Sequence, residues 1–416
     1  MDPNEIMVCK AKLFHPSAPL QDVYAKVKDT VKQLGAVIKP GSRIAVAVGS
    51  RGIANIAVIT KALTDYLKQT GAEPFIIPAM GSHGGATAEG QAEFLQGYGI
   101  SEKTIGVPVI SSMEVEYIGD AGHPEPFPVY IDKNAFNSDG VIIVNRVKSH
   151  TDFHGDNESG IIKMLVIGLG KHKQAALMHR YGADGLRDLV PVAAKKVLSC
   201  GKIIGGLGIL EDGYDETSDI VFASPDEFFN VDSALLKRSK ELMAKLPFDA
   251  VDSLIIDKMG KDISGSGMDT NIIGRLRIKG QTDTLPDCDR IAVLDLTDTS
   301  HGNATGVGLA DITTRRLVDK IDWQATNANI ITSGFLQRGF LPVVAENDIE
   351  AVDLAVNGAN HTPESIKFAR IKSTLDLAEV YVSKALLSEL ISKNKGEQTG
   401  EFIPLVFKQG GRLADF

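Results

Sequence analysis

The sequence predicts an α/β protein of two domains with largely parallel sheets. Three observations carry that reading. Short apolar runs of strand length recur, among them RIAVAVG (43–49), EPFIIPAM (73–80) and DGVIIVNRV (139–147), rich in β-branched residues. Amphipathic stretches of helix length stand between them, such as NIAVITKALTDYLKQTG (55–71), which ends in glycine. The strand–helix–strand order is that of a parallel βαβ unit.

Taken in order, residues 21–35 read as an amphipathic helix, 43–49 as a buried strand, 55–71 as a helix and 73–80 as the next strand. Thr87 is placed to cap a helix running through TAEGQAEFLQGYG. After the strand at 139–147 come a short helix in KHKQAALMHR, a helix over 186–199 and the strand IIGGLGIL (203–210). DIVFAS reads as a strand, and a helix follows that opens at Pro225. Leu246-Pro247-Phe248 marks the boundary. Residues 1–247 are expected to form a cofactor-binding and catalytic domain, and 248–416 a second α/β domain closing an active-site cleft. The second part begins with the strand VDSLIIDKMG and a long loop rich in Gly, Ser and Asp (259–275). It continues with the strand RIAVLDLTD (290–298), a glycine-rich loop and the helix TRRLVDKID. ANIITSG, FLPVVAEN, DIEAVDLAVNG, FARIKST and SKALLSELISK complete an alternation of strand and helix.

Composition narrows the function. The chain has 416 residues, 43% of them apolar and 23% charged, the balance of a soluble globular protein. Its net charge is −9 and no basic run occurs, which argues against nucleic acid and membranes as partners. The N-terminal MDPNEIMVCKAK has no apolar stretch of signal-peptide length. Cys9, Cys200 and Cys288 are few and scattered, as expected of reduced thiols in a cytoplasmic protein.

Chemistry concentrates in HTDFHGDNESGIIKMLVIGLGKHKQAALMH, from His150 to His179. It follows directly on the apolar strand at 139–147, and strand ends are where ligands bind in α/β proteins. His150 and His154 have the spacing of two zinc ligands on a helix, but Thr151 stands where HExxH needs glutamate. GLGKHK imitates a P-loop, but His172 replaces its magnesium-binding Ser or Thr. On residue types alone the stretch also reads as a buried strand followed by surface histidines.

Two other loops leave strand ends on what should be the same sheet edge. GSRGI holds Arg51 between small residues, where its guanidinium suits a carboxylate or phosphate. GSHGGAT holds His83 in a glycine-rich turn, a setting more usual for a functional histidine than a helix face.

These elements resemble the nickel-pincer lactate racemase family of 2-hydroxy-acid racemases and epimerases. Val147-Lys148-Ser149-His150 is similar to that family's V-K-P-H, Lys163 to the lysine of its G-G-R-K, and His179 lies sixteen residues further, the family interval. Gly81-Ser82-His83 matches its G-[ST]-H turn. Ser149 replaces the proline, and three additional residues separate His150 from Lys163. His154 is the other candidate for the first histidine.

The resemblance implies a nickel-pincer nucleotide held by Lys163, with His179 on the metal and His83 and His150 as paired acid–bases. It implies substrate binding by Arg51 and, in the second domain, by Lys261, the nearest counterpart of a Y-Q-x-x-K motif absent here. His301 in TSHGNATG is a further candidate for the cleft. The implied activity is isomerisation of a small hydroxy acid, with cofactor-biosynthesis proteins as loading partners. One base takes the hydroxyl proton while hydride leaves the carbon, and hydride returns to either face. Histidine suits both base positions because it titrates near neutral pH. A sugar-acid epimerase of the same chemistry and a non-catalytic metal- or nucleotide-binding module remain alternatives. The module would need Lys163 and His179 but not both His83 and His150.

Overall fold

The structure is a computed structural model of the whole chain and describes all residues except Met1, Ser50, Arg51, His123, Pro124, Gly280 and 358–360. It is a mixed α/β protein with mostly parallel sheets, divided into two compact units. One unit is Pro16–Met243. The other combines Met1–His15 with Ala244–Phe416. The division expected at 247/248 is thus corrected at the start of the chain. The strand Met7–Leu13 pairs antiparallel with Glu379–Ser383, Val8 opposite Ser383. That pairing spans most of the sequence and leaves no local pattern by which to foresee it.

In the Pro16–Met243 unit, the strands run Glu73–Pro78, Arg43–Val48, Gly140–Arg146, Ile203–Glu211 and Thr217–Ala223 across the sheet. The first four are parallel and the last antiparallel. Side chains of Gly140–Arg146 alternate between two cores. Val141 and Ile143 join Phe153, Ile161, Leu165 and Val190 on one face, while Ile142 and Val144 join Ile59, Leu63 and Val27 on the other. Burial on both faces explains why this strand reads as an unbroken apolar run. The helices Val23–Thr30 and Ile56–Gln69 serve one face, and Lys171–His179, Val190–Ser199 and Phe228–Leu242 serve the other.

The chain leaves Arg43–Val48 toward Glu73–Pro78 on one side and leaves Gly140–Arg146 toward Ile203–Glu211 on the other. The connections diverge at the carboxyl ends of these two adjacent strands. That is the position where open α/β sheets bind ligands.

Thr87 caps Ala88–Gly97 by accepting from Gly90 N at 3.1 Å. The last helix of this unit starts at Phe228, not Pro225, because Ser224 Oγ reaches back to Asp226 at 2.8 Å and holds 225–227 in a turn. An antiparallel hairpin, Val115–Ala121 with Phe127–Asp132, adds Phe127, Val129 and Ile131 to the core that holds Val141, Ile143 and Phe153.

The other unit is built on Ala250–Met259. Asp287–Leu296, Ile312–Thr314 and Val343–Ala345 lie to one side and Phe368–Ile371 to the other, all parallel. Antiparallel Glu379–Ser383 and Met7–Leu13 follow. The loop 259–275 carries one short helix, Thr270–Ile273, capped by Asp269. ANIITSG closes a helix, Trp323–Ser333, with Gly334 in the left-handed region. Among the described residues no helix is long and apolar enough to cross a membrane.

Candidate functional site

The loop that follows Gly140–Arg146 closes on itself. Lys148 N donates to Ser159 O at 2.8 Å, and Ser159 N donates to Lys148 O at 3.2 Å. Residues 149–158 form the loop beyond this neck. His150 stands just past one side of it and Lys163 one helical turn past the other, and Lys163 Nζ lies 2.5 Å from His150 Nε2. The neck therefore takes up the three additional residues without separating the two side chains.

Phe153 anchors the loop. It is 1% exposed, belongs to the core beneath, and packs against the His150 ring with centroids 4.5 Å apart. Glu158 closes the interior, with a side chain wholly withdrawn from solvent. Its Oε2 accepts from His150 N at 2.7 Å, and its Oε1 accepts from Gly155 N at 3.2 Å and Lys240 Nζ at 2.6 Å. Burial pushes this carboxyl up, but His154, Lys240 and the His150 amide outweigh burial and hold it below the usual carboxylate range. His154 turns to Glu158, with Nδ1 at 3.4 Å from Oε1, an electrostatic contact rather than a hydrogen bond. Of the two candidate histidines, the structure places His150 against Lys163.

Asp152 N donates to His150 Nδ1 at 3.0 Å, and the other ring nitrogen, Nε2, faces Lys163 Nζ.

The segment from Lys163 to His179 is made of two helical pieces, a widened turn over Met164–Gly168 and the helix Lys171–His179, with a break between them where Lys171 has φ +55°. Leu169 N bonds Met164 O at 3.0 Å, five residues back. Such turns often occur at functional sites. His179 ends the Lys171–His179 helix, and its Nδ1 is buried without a hydrogen-bond partner. Burial lowers its pKa, a protonated Lys163 lowers it further, and Asp152 acts in the opposite sense. The result is a neutral imidazole with an uncommitted buried nitrogen, the state a metal ligand requires. Among the described residues no group of three or more His, Cys, Asp or Glu could hold a metal. The donor set fits a metal that arrives with its own ligands and needs one more. It does not fit a bare ion.

The neighbouring strand ends approach closely. A Cβ on Gly49 would lie 2.3 Å from Asn145 Oδ1 and 2.8 Å from Met164 Cε, so only glycine admits that contact. Gly81, at φ +60°, abuts Ile167. His83 begins the next turn, on the same sheet edge. Its carbonyl and that of Gly81 both accept from buried Gln91 Nε2, at 3.2 and 3.0 Å. Gln91 Oε1 in turn accepts from Lys171 Nζ at 3.3 Å. Lys171 is fully buried, bonds Pro78 O and lies 3.1 Å from the equally buried Asp132. A buried polar chain thus runs from Asp132 to the backbone of the His83 turn.

Arg51 lies outside the described residues. Lys261 belongs to the other unit, where Nζ donates to Gly265 O at 2.6 Å and Asn329 Oδ1 at 3.0 Å. His301 is an exposed turn residue of the same unit with φ +47°. That unit also holds a charged cavity of about 510 Å³ at the carboxyl ends of Ala250–Met259, Asp287–Leu296 and Phe368–Ile371. None of the predicted site residues lines it. Its principal charges are internally matched, Arg370 with Asp257 at 2.8 Å and Arg316 with Asp295 at 3.2 Å and Asp348 at 3.0 Å. The His150 cluster is the better candidate, since it brings a lysine against a histidine and has, near by, a buried imidazole nitrogen without a hydrogen-bond partner.

No protein-family model matches this chain, and no curated protein matches it. Among solved structures, it is similar to the lactate racemase apoprotein from Thermoanaerobacterium thermosaccharolyticum. The TM-score is 0.51 at 13% identity, over 82% of this chain and 90% of that one. At such identity the likeness establishes the fold.

Proposed function

We propose that the chain is an isomerase, a racemase or epimerase of a 2-hydroxy acid that works with a nickel-pincer nucleotide. The observation that carries this reading is the Lys163–His150 contact at a sheet switch point, with the orphaned His179 nitrogen sixteen residues beyond the lysine. The fold shared with a lactate racemase apoprotein supports it.

In this reading Lys163 would hold the cofactor and His179 would offer Nδ1 to its metal. When bound, the cofactor supplies a hydride acceptor. His150 gives and takes the substrate hydroxyl proton, and His83 does so for the opposite enantiomer. Arg51 binds the substrate carboxylate. Cofactor-making proteins load the site.

The test is to co-express the chain with cofactor-making enzymes, measure intact mass and nickel, and follow optical rotation over a panel of hydroxy acids and sugar acids. His83→Ala and His150→Ala should each lower turnover by roughly 10²–10⁴-fold with nickel retained. His179→Ala should lose nickel, and His154→Ala should remain active. Nickel retention in His179→Ala removes the ligand role. Cofactor binding without turnover on any acid makes the chain a binding module.

A further inference from the structure

The helix that carries Lys163 has no cap of its own. Gly160 precedes it and offers no side chain. The missing acceptor comes from far along the chain. Asp232, fully buried on Phe228–Leu242, accepts at Oδ1 from Ile161 N at 2.6 Å and at Oδ2 from Asn157 Nδ2 at 3.0 Å. Ile162 N points to the same Oδ1 at 3.4 Å. Gly160 is what lets this carboxyl come so close, since a Cβ there would lie 2.0 Å from Asp232 Oδ1. Burial drives the Asp232 carboxyl up to about 6, against the amides of Asn157, Ile162 and Ile161, with Glu158 adding to the rise. A carboxyl is unfavourable in such surroundings, yet it sits where it completes a helix start. About two turns further along the same helix, Lys240 grips Glu158, which holds the His150 amide.

We propose that Phe228–Leu242 is the positioning element of the site, acting through Asp232 on Lys163 and through Lys240 and Glu158 on His150. The inference rests on the functional reading only in naming Lys163 and His150 as the groups that matter. The contacts themselves stand apart from it.

The test uses the full chain as purified, with two local readouts. Amide exchange is followed by mass spectrometry over 149–158, over 160–166, and over the strands 43–48 and 203–211. Acetylation of Lys163 by N-hydroxysuccinimidyl acetate is measured relative to the exposed Lys103.

Asp232→Ala should speed exchange over 160–166 by roughly five- to thirty-fold and change the relative acetylation of Lys163, leaving both strands at their original rates. Asp232→Asn keeps an acceptor for Ile161 N, and Asn157 can turn its amide to match. This variant should restore both readouts. Lys240→Met should act instead on 149–158. Asp232→Ser replaces alanine if that variant does not fold.

Unchanged exchange in Asp232→Ala, acceleration spread equally over the strands, or failure of Asp232→Asn to rescue overturns the proposal. If the variants behave as expected but no cofactor is ever held at Lys163, the positioning role stands and the functional reading falls.

Discussion

Replacing Lys171 with methionine separates the buried polar chain from the His83 turn. The ammonium touches Asp132, Pro78 O and Gln91, and both it and Asp132 are fully buried. Removing one partner of a buried ion pair typically costs about 3–5 kcal/mol. Asp132 keeps two backbone donors on Oδ1, Asn134 N at 2.7 Å and Ala135 N at 3.0 Å, but Oδ2, which faces Lys171, is buried without a hydrogen-bond partner, so the range of about 3–5 kcal/mol applies. For a unit the size of Pro16–Met243 this is a drop of about 6–20 °C in the melting temperature.

Lys171→Met with Asp132→Asn should regain most of the loss, because no unpaired charge is left inside. Burial lowers the Lys171 pKa, with Asp132 opposing. Between that lowered value and the ordinary 10.5, the unfolded chain binds more protons than the folded one. The contribution of Lys171 to stability therefore rises with pH across that window. The gap between wild type and Lys171→Met should widen toward alkaline pH. Urea or thermal unfolding at several pH values reads all of this. A single variant within about 1 kcal/mol of wild type, or a double variant no better than the single, refutes the reasoning.

Gly160→Ala should cost about 1–3 kcal/mol in urea unfolding, because its Cβ would meet Asp232 Oδ1 at 2.0 Å and displace the cap. Glu158→Gln should cost about 1–3 kcal/mol above pH 6, since it leaves Lys240 without its charge partner and its single amide oxygen replaces only one of the two oxygens that accept from His150 N and Gly155 N. The carboxyl of Glu158 is held below its ordinary 4.5, so its stabilisation is present above that value and is lost as pH falls through the lowered one. The wild-type acid limb of a pH–stability curve should therefore flatten in Glu158→Gln.

What was legible in the sequence was local. The run 139–147 announces a strand buried on both faces because its middle, Val141 to Val144, is apolar toward both sides. The His83 turn and its Thr87 cap lie within a few residues of each other. The Lys163–His179 interval crosses a widened turn and a break at Lys171, where φ is +55°, so the spacing alone does not convey the geometry. Asp232, Lys240, Gln91 and Lys171 were missed because their partners lie tens of residues away and their residue types are ordinary. The acidic residue before Ser159-Gly160 was a readable signal for Glu158, since a loop so rich in donors needs an acceptor within it. The widened turn at 164–168 leaves no residue pattern, as it arises from packing.

Thirteen positions separate His150 from Lys163, yet their side chains meet at 2.5 Å, and the reason is physical. The Lys148–Ser159 pair fixes the two ends of the loop at hydrogen-bonding distance, so the closure entropy of a slightly longer loop is a small addition. Within the loop, a buried carboxylate and a buried phenyl ring supply the contacts that hold it in one conformation. Both anchors lie inside 149–158, and their partners lie on Phe228–Leu242 and in the core below the sheet. The longer loop brings its own supports with it. Two side chains thirteen positions apart can therefore be held against each other, provided the neck is paired and the interior of the loop is filled.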